Sequence, residues 1–506
     1  MRRGRCPWRY DMKKLIVATA VFAVFAAQAK VKFAAPFGDG IVLQREMPVR
    51  VWGTADAGEK VKVKFGDASV ETVADASGKW MVELPAMKAS KTGRRLKAND
   101  ASISDVLVGE VWTCAGQSNT DCPIWGGSPR FRDGWGSMML TTTDRPHVRL
   151  VKTRKAMALE PKLDIKVKWR KMTPDLWDLS MAGFKMPSAM GYYYALELAN
   201  ALDIPIGLID SSWGGTNIDT WTPRSGYKGL SGLDVERDWN IVPLSDWKQS
   251  MAKGPITAAH KQTSALWNGM VAAYVPMSIR GFIWYQGCAN ASEAHRYANK
   301  MQALYNGWAA EFRNPDLSLY FVQLAPWGNK GIARIQEAQA KFAAAEKNAA
   351  MAVINDVGNL HDIHPNDKRT VAKRLSLHAL KRNYGWKKVK NESPTLKSWK
   401  IEGGKFILSF NDAESFYVYN PDRSLTAGFE VCGKDGVWKP AKISNFKVTV
   451  TDGKEYRFGT LEGKDIVVEA EGVAEPKKLR YLHSAPWFGS LYAESGLPVG
   501  AFHIGY

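Results

Sequence analysis

Ser118 sits in the stretch VWTCAGQSNTDC (Val111–Cys122), behind Gly116 and Gln117 and ahead of Asn119. A serine hydroxyl is a weak nucleophile until a neighbouring base takes its proton. The useful question is therefore what else in the chain could meet it. Of the eight histidines, His364 in HDIHPNDK stands out, because Asp362 lies two residues before it and could hold its other ring nitrogen. Asp356, closing the apolar run AAMAVIND, is a second candidate for that role. The oxyanion of a tetrahedral intermediate needs preorganised donors. The Ser118 N–H, an N–H from Gly214 or Gly215, and the side-chain amide of Asn290 could supply them. Gln117 and Gln286, beside the serine and ahead of the asparagine, are candidate substrate-binding amides.

Each piece also has a plainer reading. A GxSN run can be a turn with a helix cap, a Gly-Gly pair a simple turn, an asparagine a cap and a His-Pro pair a helix start. Their joint placement favours catalysis, and that placement depends on the elements around them. From about Asp105 to Gly385, short apolar runs alternate with helical segments. IPIGLID, SIRGFIWYQG, LSLYFVQLAP and AAMAVINDVG predict strands. SAMGYYYALELANAL, SEAHRYANKMQALYNGWAAEF, IARIQEAQAKFAAAEK and HPNDKRTVAKRLSLHALKR predict helices, the last starting at Pro365. Such alternation implies a parallel sheet covered on both faces. Ligands of such sheets bind beyond the carboxyl ends of the strands, where Ser118, Gly214-Gly215, Asn290 and the Asp362–His364 loop all fall.

Period-two stretches broken by turn residues predict β structure on either side. The expected division is a signal segment over 1–29, a β domain over 30–104, the α/β domain over 105–391, and a second β domain over 392–506 whose tail packs back. The signal segment is read from Lys13-Lys14, the apolar run Leu15–Ala26 and the small-x-small site Ala27-Gln28-Ala29. It predicts a secreted or periplasmic protein. No other apolar stretch approaches the length of a membrane span.

The net charge is +19, and residues 1–29 hold six basic groups and one acid, which leaves +14 on the remainder. The lysines are dispersed, no nucleic-acid motif occurs and export argues against a genomic target, so the charge reads as a basic solvated surface. Outside the signal segment there are four cysteines, of which Cys114 and Cys122 are close enough to form a small bridged loop. No CxxC or HExxH spacing points to a metal.

At these residues the chain resembles the SGNH-hydrolase superfamily, specifically the sialate O-acetylesterase-like family. DGIVLQREMPVRVWGTADAGEKVKV is similar to the family's opening β domain, and VLVGEVWTCAGQSN to its nucleophile block. PIGLIDSSWGGTNIDTWTP, FIWYQGCAN and DIHPNDK are similar to its glycine, asparagine and histidine blocks, and the tail SGLPVGAF is family-like. The resemblance implies a flavodoxin-like three-layer α/β/α domain with flanking β-sandwich-like domains. It also implies an esterase that removes O-acetyl groups from sugars without metal or cofactor. Ser118 would be the nucleophile, His364 the base and Asp362 its orienting partner, with Ser118, Gly214 or Gly215 and Asn290 around the oxyanion. Three positions depart from the pattern: Cys288 stands where relatives carry Glu, Thr120 where they carry Met, and Gln336 where they carry Arg. These changes predict altered substrate preference or weakened activity. O-acetylated sialic acid is the favoured substrate and acetylated xylan a rival. A glycan-binding relative without activity is the third reading.

Overall fold

The structure, a computed structural model, describes residues 31–505 except 124–143, 174–186, 231–232, 234–261, 329, 360–361, 420–427, 452–453, 474 and 484–488. The expected signal segment thus lies outside the described residues. The apolar runs become strands of a central sheet because a strand covered on both faces has no polar side to show. Together with two charge-bearing strands toward one edge, β2 (Arg145–Lys152) and β3 (Arg170–Met172), the sheet comprises β1 (Ala101–Gly116), β4 (Ile206–Ser212), β5 (Gly281–Tyr285), β6 (Ser318–Val322) and β7 (Ala349–Ala352). They lie in the order β3-β2-β4-β1-β5-β6-β7. All neighbouring pairs are parallel except the edge pair β2–β3.

In chain order, β1, β4, β5, β6 and β7 run 2-1-3-4-5, as flavodoxin-like sheets do. β2 adds a strand outside β4 that the apolar runs did not single out. The chain leaves β1 toward one edge and comes back to β5 on the other side. The crevice beyond the carboxyl end of β1 is therefore the point where the strand order reverses.

Among the described residues five α-helices accompany the sheet: α1 (Ser118–Asp121), α2 (Ala189–Leu202), α3 (Ala294–Glu311), α4 (Lys330–Ala345) and α5 (Lys368–Arg382). Successive strand residues point to opposite faces. Tyr320 of β6 lies against His378 of α5, with ring centroids 5.7 Å apart, and the next residue, Phe321, lies against Phe342 of α4 at 5.6 Å. On β1, Trp112 meets Tyr194 of α2 at 5.3 Å and Tyr320 at 5.6 Å. Phe282 of β5, in register with Thr113, stacks on Trp308 of α3 at 4.3 Å. Helices α2 and α5 thus cover one face, and α3 and α4 the other.

β1 is sixteen residues long and does two jobs. Its first part pairs with Val42–Gln44 and Ser90–Ala98, and from Glu110 onward it pairs with β4 and β5. The strand runs through position 105 without a break, and the amino-terminal strands share one apolar core with the central sheet. Glu110, fully buried, joins these parts. Its carboxylate accepts from Gln44 Nε2 at 3.0 Å, Arg45 Nε at 2.7 Å, and Arg280 Nε and Nη2 at 2.9 and 3.1 Å.

Beyond α5, a seven-stranded and a four-stranded antiparallel sheet enclose a separate apolar core around Phe406, Leu408, Val431 and Tyr481. The tail returns to the central sheet, where Asn355 Nδ2 donates to the Val499 carbonyl at 3.0 Å. Among the described residues no helix is long and apolar enough to cross a membrane.

Two local expectations are corrected. The last helix starts at Lys368 rather than at Pro365, because Asp367 caps it by accepting the Thr370 N–H at 2.9 Å. The possible Cys114–Cys122 bridge is not formed, and Cys114, Cys122, Cys288 and Cys432 are all free thiols. Cys114 lies inside β1 and its sulfur faces Ser188 Oγ at 3.6 Å, so the strand aims it at α2 rather than along the loop.

Glu110→Ala is expected to cost about 3–5 kcal/mol, since two guanidinium groups lose a buried carboxylate they share. Calorimetry should register this as a melting temperature lower by several degrees. An unchanged melting temperature would remove Glu110 from the link between the two parts of β1.

Candidate active site

β1 closes at Gly116, whose φ of +141° suits glycine. A Cβ at this position would lie 2.4 Å from the Tyr285 carbonyl oxygen. The turn it allows brings the chain off the sheet, so that the single-turn helix α1 begins with Ser118 at the switch point. Ser118 Oγ lies 3.0 Å from His364 Nε2, and His364 Nδ1 lies 2.9 Å from Asp362 Oδ1. The same Asp362 oxygen accepts the His364 backbone N–H at 3.0 Å. One carboxylate oxygen thus holds both the main chain and the ring of His364. It selects the tautomer with its proton on Nδ1, which turns a basic Nε2 toward the serine. His364 and Asp362 side chains are each 20% exposed, so the line opens to the surface.

Asp356, the other carboxylate considered, is engaged elsewhere. Its two oxygens take Arg374 Nη1 and Nη2 at 2.6 and 2.7 Å. The geometry brings Asp362, not Asp356, to the imidazole.

Buried polar ties hold the surrounding loops to one another. Asn119 Nδ2 donates to the Ile363 carbonyl at 3.0 Å, joining the serine turn to the histidine loop. Lys368 Nζ donates to Asn119 Oδ1 at 2.6 Å and also to the Pro365 carbonyl. Gln117 Oε1 accepts the Gly287 and Ala289 N–H groups at 3.1 and 3.4 Å, joining the serine turn to the loop after β5. Gln286 is fully buried; it donates to the Thr216 carbonyl at 3.1 Å and to Asn290 Oδ1 at 2.7 Å. Both glutamines therefore fasten loops. The Thr120 hydroxyl reaches the Tyr285 carbonyl at 3.0 Å, and Gln336 Nε2 reaches the Leu324 carbonyl at 2.6 Å.

The proposed oxyanion donors differ in their surroundings. A Cβ on Gly214 would touch Ser118 Cβ at 3.4 Å, so this glycine lies directly beside the serine. Its N–H goes to Asp121 Oδ2 at 3.2 Å. Asp121 is in turn paired with Lys152 at 3.2 Å and with Lys155. Gly215, at φ +74°, faces open space where a Cβ would point. Asn290 is buried, its Oδ1 accepting from Ile218 N at 3.0 Å and its Nδ2 donating to Glu293 at 3.0 Å.

Burial shifts several titratable groups around these loops, and two of them bear on the site. Burial lowers Lys368 to about 8. Burial pushes the Cys288 thiol up to about 12, so Cys288 is a neutral group at the position where the family pattern is expected to carry Glu. Lys368, Lys152 and Asp121 were missed in the sequence. Lys368 follows the histidine motif within HPNDK, but nothing local says that its ammonium turns inward.

A hydroxyl, an imidazole and a carboxylate in this line can transfer an acyl group. Residues 108–378 match the family described as carbohydrate esterase, sialic acid-specific acetylesterase. The chain belongs to this family. It is 29% identical over 475 residues to the sialate O-acetylesterase of Rattus norvegicus, covering 82% of this chain and 85% of that one. It is 28% identical over 473 residues to the Homo sapiens sialate O-acetylesterase, with 85% and 86% covered. Among solved structures it is similar to a carbohydrate acetylesterase from Xanthomonas citri, with a TM-score of 0.76, 27% identity, and 94% of this chain and 99% of that chain covered. As a member of this esterase family, the chain is a carboxylic ester hydrolase.

Lys368 is deprotonated more easily in the folded esterase than in the unfolded chain. Between about pH 8 and the ordinary lysine value the unfolded state holds the extra proton, so this group raises stability as pH rises. Wild type and Lys368→Met should therefore diverge by up to about 3 kcal/mol from pH 8 to 10.5 in denaturant titrations. Parallel pH profiles would show that the ammonium is not desolvated.

Proposed function

We propose that the protein is a serine-dependent carbohydrate O-acetylesterase acting on O-acetylated sialic acids. The observation that carries this reading is the line from Ser118 Oγ through His364 to Asp362, at 3.0 and 2.9 Å. Ser118 attacks the acetyl carbonyl while His364 Nε2 takes its proton. Asp362 stabilises the imidazolium that forms. The tetrahedral intermediate collapses, His364 returns the proton to the sugar oxygen, and the sugar leaves with a free hydroxyl. Water, deprotonated by His364, then cleaves the acetyl-serine. The single Gly214 N–H is committed to Asp121, so the oxyanion is assigned to the Ser118 and Gly215 N–H groups and to the second Nδ2 hydrogen of Asn290, whose first goes to Glu293.

Asp362 supplies the carboxylate that Cys288 cannot, which supports an active enzyme over a glycan binder that merely keeps the fold. Trp213, beside Gly214, packs 5.6 Å below the Lys155 ammonium, which is paired with Asp121. The preference for sialic acids over xylan rests on the family match and on relatives named sialate O-acetylesterase. Gln117 and Gln286 act by positioning loops. We assign the α/β/α layers to an SGNH-type hydrolase domain over 105–391, flanked by β-sandwich-like domains over 30–104 and 392–506. The amino-terminal residues 1–29 are assigned to export, which makes the enzyme secreted or periplasmic.

A panel of O-acetylated sialic acids and acetylated xylo-oligosaccharides tests the reading. The sialic acids should be turned over with the higher kcat/KM, and Ser118→Ala should lose roughly 10⁴-fold or more in kcat. Preference for the xylo-oligosaccharides would sink the substrate assignment, and residual full activity of Ser118→Ala would sink the mechanism.

With an activated acetyl ester, Asp362→Asn should cost roughly 10²–10⁴-fold in kcat and Asn290→Ala roughly 10²–10³-fold. Asp356→Asn should leave kcat within a few-fold while lowering the melting temperature. The reverse ranking of the two aspartates would overturn the assignment of Asp362.

A further inference from the structure

Glu337, His483 and His503 form a cluster that ester hydrolysis does not use. Glu337 lies on α4, His483 two residues past the strand Pro476–Tyr481, and His503 on the strand Phe502–Ile504 that pairs with it. His483 Nε2 and His503 Nε2 approach the same oxygen, Glu337 Oε1, at 2.5 and 2.8 Å. The imidazole rings are 5.1 Å apart. Each residue offers one ligand atom, and all three atoms lie within 4.8 Å of one another. Glu337 Oε1 is sealed from solvent and accepts no hydrogen bond of normal geometry, close as the ring nitrogens are. An enclosed carboxylate oxygen approached this closely by two ring nitrogens needs a positive partner, which an imidazolium or a shared metal cation supplies.

We propose that Glu337, His483 and His503 bind a divalent transition-metal ion, of which Zn2+ is the best match, and that the ion clamps the carboxyl-terminal strands onto α4. Two imidazoles and one carboxylate suit Zn2+, whereas Ca2+ and Mg2+ take oxygen-only sets. Tetrahedral bonds of about 2.0–2.1 Å separate ligand atoms by about 3.3 Å. The two short approaches must therefore open by roughly 0.5–0.9 Å, which side-chain rotation supplies. The side chains are 14%, 29% and 30% exposed for His483, Glu337 and His503, which leaves a path for the ion and room for water as a further ligand. On the inward side of the same helix, Gln336 and Gln339 hold the Leu324 backbone. The ion is thus placed to fix the helix that supports the loop after β6, not to touch the ester.

The test uses the full chain, stripped with a chelator and titrated with ZnCl2. One ion per chain should bind at this site, and a hundredfold excess over Kd should raise the melting temperature by roughly 5 °C. Co2+ in place of Zn2+ should give visible d–d absorption of a nitrogen- and oxygen-ligated ion. The double variant His483→Ala, His503→Ala should lose the stabilisation and the Co2+ bands. Its metal-free melting curve shows whether it folds, and the single variant His503→Gln serves if it does not. No stabilisation of the wild type, or equal stabilisation of a folded variant by Zn2+ bound elsewhere, would overturn the proposal. None of these readouts depends on esterase activity.

Discussion

The hydrogen bond between Ser118 Oγ and His364 Nε2 joins residues 246 positions apart at 3.0 Å. Acyl transfer tolerates little error in that distance, since a displacement of about 1 Å can cost on the order of 10²-fold in rate. The fold meets this demand by supporting α1 from several directions. Asn119 ties it to the histidine loop, Gln117 ties it to the loop after β5, and the Thr120 hydroxyl ties it back to the sheet. These partners are mostly backbone carbonyls and N–H groups at strand exits, so the parallel register of the sheet sets the catalytic distance.

The same tie explains an otherwise unfavourable group. An ammonium buried as deeply as Lys368 resists its own charge, as its lowered pKa records. It is retained where it reaches from α5 to Asn119 and the Pro365 carbonyl, tying the serine turn to the histidine loop. Glu110 shows the same logic at the middle of β1, where a buried carboxylate satisfied by Gln44, Arg45 and Arg280 locks the amino-terminal strands to the central sheet. β1 is thus held by buried polar groups on both sides of the apolar segment between Val111 and Ala115.

The departures from the family pattern have local consequences. Cys288 stands in the loop after β5 where the family pattern is expected to carry Glu, yet the charge that orients His364 comes from its own loop through Asp362. Gln336, where that pattern is expected to carry Arg, bonds the Leu324 carbonyl through its amide, so the loop after β6 is held by a neutral contact. The neighbouring Glu337 points away from these contacts, toward the two histidines of the carboxyl-terminal strands.

Much of this was legible in the sequence. Strands and helices of the central domain announce themselves through apolar runs and helical periodicity, because burial on two faces or on one stripe is a local property of the chain. The order of the loops followed from the rule that parallel sheets bind ligands at their carboxyl edges. Other features were not legible. The strand Arg145–Lys152 alternates charge with apolar residues and lacks the continuous run of its neighbours. The choice between Asp362 and Asp356 depends on Arg374, a turn and a half into the next helix, which claims Asp356. The inward course of Lys368, the free state of Cys114 and the meeting of Glu337 with His483 and His503 depend on side-chain direction. The sequence by itself determined which chemical groups stand at which strand exits, since residue type and periodicity are carried along the chain. Only the tertiary structure decided which of those groups touch, because contacts across hundreds of residues are set by sheet register and by the direction in which each buried side chain is packed.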